Sequence, residues 1–161
     1  MEETSVETLN SREACAEAVA RLVEAAEHKI ALFSQNLEPL LYNHQALCDD
    51  ISALARKNRH SSIRIIAQDT RSAADGHCLV HLAQKLSSSI QIRVPATQEI
   101  QHYSKSLLII DDHSMVLIDN PERYEGSLIE NNRLHVRTKL EFFDHAWDNS
   151  LPDSNTRRLH I

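Results

Sequence analysis

An imidazole, an ammonium group and a carboxylate lie close together in the chain, at His102, Lys105 and Asp111, with the apolar run 107–110 before the carboxylate. Such groups could cleave a phosphodiester if the His attacked phosphorus while the Lys held the phosphoryl oxygens. Both side chains would then have to point into one cleft, and on a strand residues two apart share a face. Because His102 and Lys105 are three apart, a regular strand puts them on opposite faces. Catalysis by His102, Lys105 and Asp111 is therefore contingent on a β-bulge that turns the His102 and Lys105 side chains into the same cleft.

A second set of polar residues, Asp69, Arg71, His77 and Arg93, lies at the ends of two predicted strands and at the start of a predicted helix. Strand ends in an open α/β sheet line the ligand crevice. An Arg near a helix N-terminus suits a phosphate or a carboxylate. Simpler roles exist for three of these residues: Asp69 could cap a turn, His77 could cap its helix and Arg93 could be an exposed strand residue. The four are candidate ligand-binding residues.

Metal and cofactor chemistry have little support in the sequence. His77 and His81 are four apart on one helical face beside Cys78, which is only half of a zinc site, and ten histidines make such a pair common by chance. The only glycines are Gly76 and Gly126, so a Gly-rich phosphate loop cannot be built. No metal and no cofactor are predicted.

Length, charge and cysteine usage limit the class of protein. The 161 residues fit one domain, and a net charge of -6 argues against generic nucleic-acid binding and against an anionic membrane surface. An acidic N-terminus and the lack of an apolar run of about 18 residues predict a cytoplasmic protein without membrane association. Cys15, Cys48 and Cys78 form no Cys-x-x-Cys pair and are predicted to be buried, reduced thiols.

Hydrophobic periodicity predicts alternating helices and strands, and hence parallel pairing with right-handed crossovers. The predicted helices cover about 11–27, 40–54, 75–87 and 132–149, and the predicted strands cover 29–33, 63–67, 90–94, 105–111 and 115–119. The last two strands are joined by a tight turn and form an antiparallel hairpin.

This order of elements, with Trp147 in the final helix, is that of one phospholipase D-like half-domain. More narrowly, residues 11–161 resemble a phospholipase D-like domain of unknown function found in bacteria and often fused behind an acetyltransferase of the GNAT family. The resemblance rests on residues 63–71, 76–88, 107–118, 123–126, 142–147 and 157–160. It implies an α/β/α sandwich of three layers, with a mixed, mostly parallel sheet of about five strands.

The resemblance also indicates which residues of this chain occupy the positions of the catalytic His and Lys. Phospholipase D-like enzymes place a His and a Lys two residues apart on a strand, followed by four apolar residues and an Asp. Anchoring that register on 107–110 and Asp111 puts Ser104 and Ser106 at the His and Lys positions. Neither serine can act as an imidazole nucleophile or supply a cation. The resemblance therefore implies a degenerate cleft at Ser104, Ser106 and Asp111.

These observations favour a non-catalytic binding or regulatory module that takes a phosphate-type or carboxylate ligand. One alternative is a phosphodiester hydrolase or transferase with a rearranged site at His102, Lys105 and Asp111. Another alternative is an accessory domain whose partner is a separate acetyltransferase. This alternative rests only on the frequent fusion of the resembled domain to acetyltransferases.

Domain organisation follows from the same patterns. Residues 1–10 are predicted to be a flexible N-terminal arm and 11–161 a single phospholipase D-like domain. A half-domain that pairs with a second one in related enzymes is expected to form a homodimer through its crevice-bearing side. Alternatively, the segment 119–132 and the C-terminal tail cover that face, and the tail 157–161 is itself predicted to dock on a protein surface.

Overall fold

The computed structural model describes residues 6–156 and contains six helices and eight strands over that part of the chain. The helices are α1 (Arg12–Ala25), α2 (Pro39–Tyr42), α3 (Gln45–Lys57), α4 (Cys78–Lys85), α5 (Gln98–Gln101) and α6 (Arg133–Asp148). The strands are β1 (Val6–Leu9), β2 (Lys29–Ser34), β3 (Ser62–Ala67), β4 (Ile90–Pro95), β5 (Ser106–Ile110), β6 (Ser114–Asn120), β7 (Glu125–Ile129) and β8 (Ser150–Pro152). The predicted hairpin is confirmed as β5 and β6.

All eight strands belong to one mixed sheet in the order β1-β7-β6-β5-β2-β3-β4-β8. Among the described strands, β2 pairs in parallel with β3 and β3 with β4, while the other five neighbouring pairs are antiparallel. A mixed α/β sheet is thus confirmed, but the prediction of about five mostly parallel strands is wrong. The missed strands β1 and β8 have only four and three residues, and β7 has only two buried apolar residues, Leu128 and Ile129, so no hydrophobic period reveals them.

Helices cover both faces of the sheet, and each face has its own core. One core packs α1, α2, α3 and α4 against alternate strand residues such as Leu32, Ile65 and Leu108. The other packs α5 and α6 against the opposite residues of the same strands, such as Phe33, Ile66 and Leu107. Residues two apart on a strand share a face, so these cores show the direction of every side chain on β5.

Local signals explain where the longest helices begin. Ser11 caps α1 with its hydroxyl accepting from the Ala14 N–H at 3.0 Å, and Asn132 caps α6 in the same way through the His135 N–H at 2.9 Å. Helix α6 buries Phe143 on its core side. Both helices agree closely with the predicted ranges.

Part of the predicted N-terminal arm lies within the described residues. Residues 6–9, which the sequence places in a flexible arm, form β1 and pair antiparallel with β7. Only Leu9 of that strand is buried, so its apolar content is too low to identify it in the sequence. The predicted docking tail 157–161 lies outside the described residues. Over residues 6–156, no helix is long and apolar enough to cross a membrane.

The cysteine prediction is corrected by a disulfide between Cys48 and Cys78, which joins α3 to the first residue of α4. Cys15 is free and buried, as expected. Helical periodicity placed each cysteine near the core, but it carries no information on whether two residues 30 apart in sequence face each other.

Candidate functional site

A cavity of about 260 Å³ opens at the C-terminal end of β2, where β5 begins and β6 ends. We call it the strand-end cleft. Its lining residues are Ser34, Gln35, Asn36, Glu38, Leu41, Tyr42, Ser106, Ile118, Pro121, Glu122 and Tyr124. The cleft therefore lies where open α/β sheets usually hold ligands, outside the carboxyl ends of the parallel strands.

Ser106 is the member of the predicted cleft that the structure places in this cavity. It is buried at the start of β5, on the same face as Leu108 and Ile110. Its hydroxyl donates a hydrogen bond of 2.6 Å to Oε1 of Gln35, whose Nε2 donates to the Lys105 carbonyl at 2.9 Å. One amide side chain thus fixes both the start of β5 and the Ser106 hydroxyl.

The neighbouring residues of the motif point elsewhere. Ser104 is exposed and precedes β5. Lys105 forms an ion pair of 3.2 Å with Asp119. Burial and then the Asp119 charge raise the pKa of Tyr103, which packs against the α6 core, so the ion pair lies on the α6 face, opposite Ser106. His102 ends α5, and its Nδ1 lies 2.9 Å from the Gln98 carbonyl. The structure therefore gives His102 and Lys105 separate partners and does not bring the two side chains together.

Asp111 is at the opposite end of β5 from Ser106, about 16 Å away at the usual rise per strand residue. Its carboxylate accepts hydrogen bonds of 2.8 Å from the backbone N–H groups of Glu27, His28 and Lys29. Burial alone would raise its pKa, but the three donors outweigh burial and the pKa lies below its ordinary value. Asp111 thus holds the α1–β2 loop and does not share a cleft with Ser104 and Ser106.

The strand-end cleft also contains residues that the sequence did not single out. Tyr124 donates a hydrogen bond of 3.1 Å to Glu38 Oε2, which joins the β6–β7 loop to the start of α2. Burial, followed by this hydrogen bond, raises the pKa of Tyr124, and burial raises that of Tyr42. The polar run 34–36, which begins at the last residue of β2, is the sequence signal that indicates this cleft.

Asp69 and Arg71, from the second predicted set, form a local exposed ion pair. Two guanidinium contacts of 3.1 and 2.9 Å and one backbone N–H contact of 3.0 Å reach the Asp69 carboxylate. The side-chain hydrogen bond from Arg71 is the main cause that lowers the pKa of Asp69 to about 2. The guanidinium is therefore neutralised by a residue two positions away.

His77 and Arg93 lie on opposite faces of the sheet. His77 is buried in the α4 layer, where Nε2 is 2.8 Å from the Leu37 carbonyl and Nδ1 accepts from the Leu79 N–H at 3.2 Å. Burial lowers its pKa, which favours the neutral ring. The Arg93 guanidinium lies 4.1 Å from the Trp147 ring centre and donates to the Trp147 carbonyl, with its Nε buried and unpaired. The four predicted ligand-binding residues therefore do not converge.

Potential metal ligands are scattered in the described part of the chain. Within residues 6–156 no group of three or more His, Cys, Asp or Glu side chains is arranged to hold a metal ion. His77 is committed to backbone contacts, and its neighbour Cys78 is in the disulfide. The pair of histidines at positions 77 and 81 consequently does not extend to a wider ligand set.

Solved structures share this fold at low sequence identity. Nuc from Salmonella typhimurium, a phospholipase D family member, is 17% identical, has a TM-score of 0.66 and covers 97% of this chain and 100% of its own. NucT from Helicobacter pylori is 11% identical, with a TM-score of 0.67 and coverage of 94% and 100%. TrmBL2, an archaeal chromatin protein with a novel mode of DNA binding, is 15% identical, with a TM-score of 0.68 and coverage of 94% and 55%. At these identities the likeness shows the fold alone.

A family model assigns the chain to a family, which the structural likenesses alone do not. No protein of curated function matches the chain. One family model, described as a domain of unknown function (DUF7931), matches residues 11–159, which is all but the first ten and the last two residues. With a fold similar to that of phospholipase D family members, the chain belongs to the DUF7931 family.

Proposed function

We propose that this domain is a non-catalytic binding module that retains a phospholipase D-like fold without its usual phosphodiester chemistry. The observation that carries the proposal is the composition of the strand-end cleft. Ser106 occupies the position where the resemblance expects a cation, and no His, Lys or Arg is among the described residues that line the cleft. Neither an imidazole nucleophile nor a charge that stabilises the transition state is available there.

The positions of His102 and Lys105 support the same proposal. A rearranged active site requires the imidazole and the ammonium group to converge on one phosphorus atom. Instead, the Lys105 ammonium pairs with Asp119 on the α6 face and the His102 ring contacts its own helix. The hydrolase alternative would need both of these contacts to break.

The cleft favours a ligand that is not an anion. Glu38 and Glu122 contribute carboxylates to its lining, which disfavour a phosphate or a carboxylate by like-charge repulsion. The two carboxylates accept hydrogen bonds from hydroxyl groups, and the hydroxyl oxygens of Ser106 and Tyr124 can still accept after donating to Gln35 and Glu38. This lining suits a ligand with several hydroxyl groups. An anionic ligand at Asp69, Arg71, His77 and Arg93 is not favoured, because these residues do not converge. Asp69 neutralises Arg71, and His77 contacts the backbone.

Turnover assays test the absence of catalysis. Purified protein is expected to hydrolyse neither bis-p-nitrophenyl phosphate nor phosphatidylcholine above the buffer rate, and His102→Ala and Lys105→Ala are expected to leave that rate unchanged. Hydrolysis by the unmodified protein that disappears in His102→Ala would contradict the proposal and support the rearranged site.

Binding is tested separately with two small probes, myo-inositol and inorganic phosphate, by NMR titration of the full chain. Inositol is expected to shift the resonances of Gln35 and Tyr124 saturably, and phosphate is expected not to. A Ser106→Phe variant, which fills the cleft, should lose the response to inositol. Saturable phosphate binding at the cleft would contradict the proposed ligand class.

We further propose that the domain acts as a homodimer through its cleft side. Leu40 on α2 is 45% exposed and is adjacent to Leu41, which lines the strand-end cleft. A second copy packed on this side would remove the Leu40 side chain from water, and a two-fold interface is the commonest arrangement of two copies.

A further inference from the structure

A second and larger cavity, of about 650 Å³, opens between α4 and the β4–β8 edge of the sheet. We call it the edge cavity. Its walls combine the apolar side chains of Ile92 and Pro152 with the polar side chains of Gln84, Asp153 and Thr156. Its volume lies in the range of about 300–1,000 Å³ that is usual for small-molecule sites. It is separate from the strand-end cleft and shares no lining residue with it.

Asp153 is the unusual member of this wall. The residue is 5% exposed, and its Oδ2 has no hydrogen-bond partner among the described residues. A buried carboxylate without a partner is unfavourable and is normally paired with a cation. The backbone holds Asp153 in place, because its N–H donates to the Ile92 carbonyl at 3.3 Å directly after β8.

The arginine that lines the same cavity does not fill this role. Arg93 lines the same cavity, but its guanidinium lies over the Trp147 ring and donates to the Trp147 carbonyl at 3.0 Å. Asp153 directly follows β8 and lines the cavity together with Ala83 and Gln84 of α4, so it lies on the α4 side of the sheet edge. Among the described residues, no ion pair involves Asp153, so its carboxylate has no positive partner there.

We infer that the edge cavity is a binding site for a guanidinium group carried on a short apolar chain, with the Asp153 carboxylate as its partner. A guanidinium is favoured because it can donate two parallel hydrogen bonds to a carboxylate, and its weaker hydration suits a partly apolar cavity. The side chains of Ile92 and Pro152 would contact the apolar chain, as apolar surfaces often do with the stems of arginine residues.

Two sources could supply this group. Arg157 and Arg158 follow Thr156 directly in the sequence, and Thr156 lines the cavity. The other source is a molecule from outside, either a small ligand or an arginine of a partner. Both sources present the same chemistry to Asp153, and one variant separates them.

The test is a calorimetric titration of the full chain with n-butylguanidinium, with uncharged n-butylurea as the matched control. The protein, either unmodified or as Arg157→Ala/Arg158→Ala, is expected to bind n-butylguanidinium saturably and n-butylurea not at all. Asp153→Asn is expected to weaken binding about tenfold or more, because hydrogen bonds to charged groups contribute about that much. Asp50→Asn on the exposed side of α3 should change nothing.

A second variant covers the case in which Asp153→Asn does not fold. Ser87 is exposed at the cavity, so Ser87→Phe should fill the space without touching Asp153 and should abolish binding. Tighter binding by Arg157→Ala/Arg158→Ala than by the unmodified protein would identify the chain's own arginines as occupants, and equal binding would identify an outside ligand. Binding that survives Asp153→Asn or Ser87→Phe, or no saturable binding to either full chain, would overturn the inference.

Discussion

The Ser106 hydroxyl and the Gln35 amide oxygen are 2.6 Å apart, and this hydrogen bond joins the start of β5 to the loop that follows β2. The same amide donates to the Lys105 carbonyl, so one side chain closes the floor of the strand-end cleft. A position where the resemblance expects a catalytic cation is thus occupied by a hydroxyl that serves the local structure.

Ser106→Ala is expected to lower the free energy of unfolding by about 1–2 kcal/mol, because it leaves the part-buried Gln35 oxygen without its donor. Ser104→Ala is the matched control, since Ser104 is exposed and its loss should cost less than about 0.5 kcal/mol. Urea unfolding of both variants measures the difference. Equal stability of the two would contradict a structural role for the Ser106 hydroxyl.

Asp111→Asn is expected to lower the free energy of unfolding at neutral pH by about 1–3 kcal/mol, because an amide cannot accept all three backbone N–H groups. Asp112→Asn is the control. It removes an ion pair of 3.2 Å with an exposed Lys29, which contributes about 0–1 kcal/mol.

The pH dependence of the Asp111 effect has a definite sign. The folded-state pKa of this carboxyl lies below its ordinary value, so its stabilisation is present above the unfolded pKa and is lost as the pH falls through the folded pKa. The difference between the unmodified protein and Asp111→Asn should therefore shrink in acid. A difference that stays constant from pH 7 to about pH 2 would show that the carboxylate charge is not involved.

We expect titration of His77 to make stability depend on pH in a second, higher pH range. Burial lowers its pKa below 6.5, so its contribution is complete above that value and falls as the pH drops towards the folded pKa. His77→Asn keeps a helix-capping acceptor but loses the contact with the Leu37 carbonyl. The variant should therefore be less stable than the unmodified protein at pH 8. It should also lack the loss of stability that protonation of His77 causes in acid. His81→Asn, on the exposed side of α4, should behave like the unmodified protein in thermal unfolding from pH 8 to pH 5.

Reduction of the Cys48–Cys78 disulfide is expected to lower the free energy of unfolding by about 2–4 kcal/mol, because the bond restricts the unfolded chain. The control is Cys48→Ala/Cys78→Ala, whose stability should be the same with and without dithiothreitol. Mass spectrometry after alkylation of unfolded, unreduced protein should find one free thiol, that of Cys15. Three alkylated cysteines would show that the bond is absent.

Light scattering at micromolar concentration is expected to give twice the monomer mass of 18.3 kDa. Leu40→Asp should shift the population towards monomer, because it places a charge in the proposed cleft-side interface. Leu134→Asp is the matched control, since Leu134 is 81% exposed at the start of α6, away from the cleft. A constant monomer mass, or equal effects of the two variants, would be evidence against the proposed dimer.

Long elements could be predicted from the sequence because their signals are local. Helices α1 and α6 have a cap and an apolar stripe within one segment, and β2 and β3 are apolar runs long enough to identify. The spacing of His102, Lys105 and Asp111 also indicated that no regular strand brings the three together. For these features the information lies within about 20 residues of chain.

Tertiary structure decided the features that depend on partners distant in sequence. β1 and β8 are recognisable only as partners of β7 and β4, because hydrogen bonds to a neighbouring strand, not their own composition, make them strands. Asp111 holds backbone groups more than 80 residues earlier in the chain, and Cys48 meets Cys78 across two helices. The opposite faces of His77 and Arg93 likewise follow from packing, because the sequence places His77 at a helix start and Arg93 on a strand but does not determine which layer covers each.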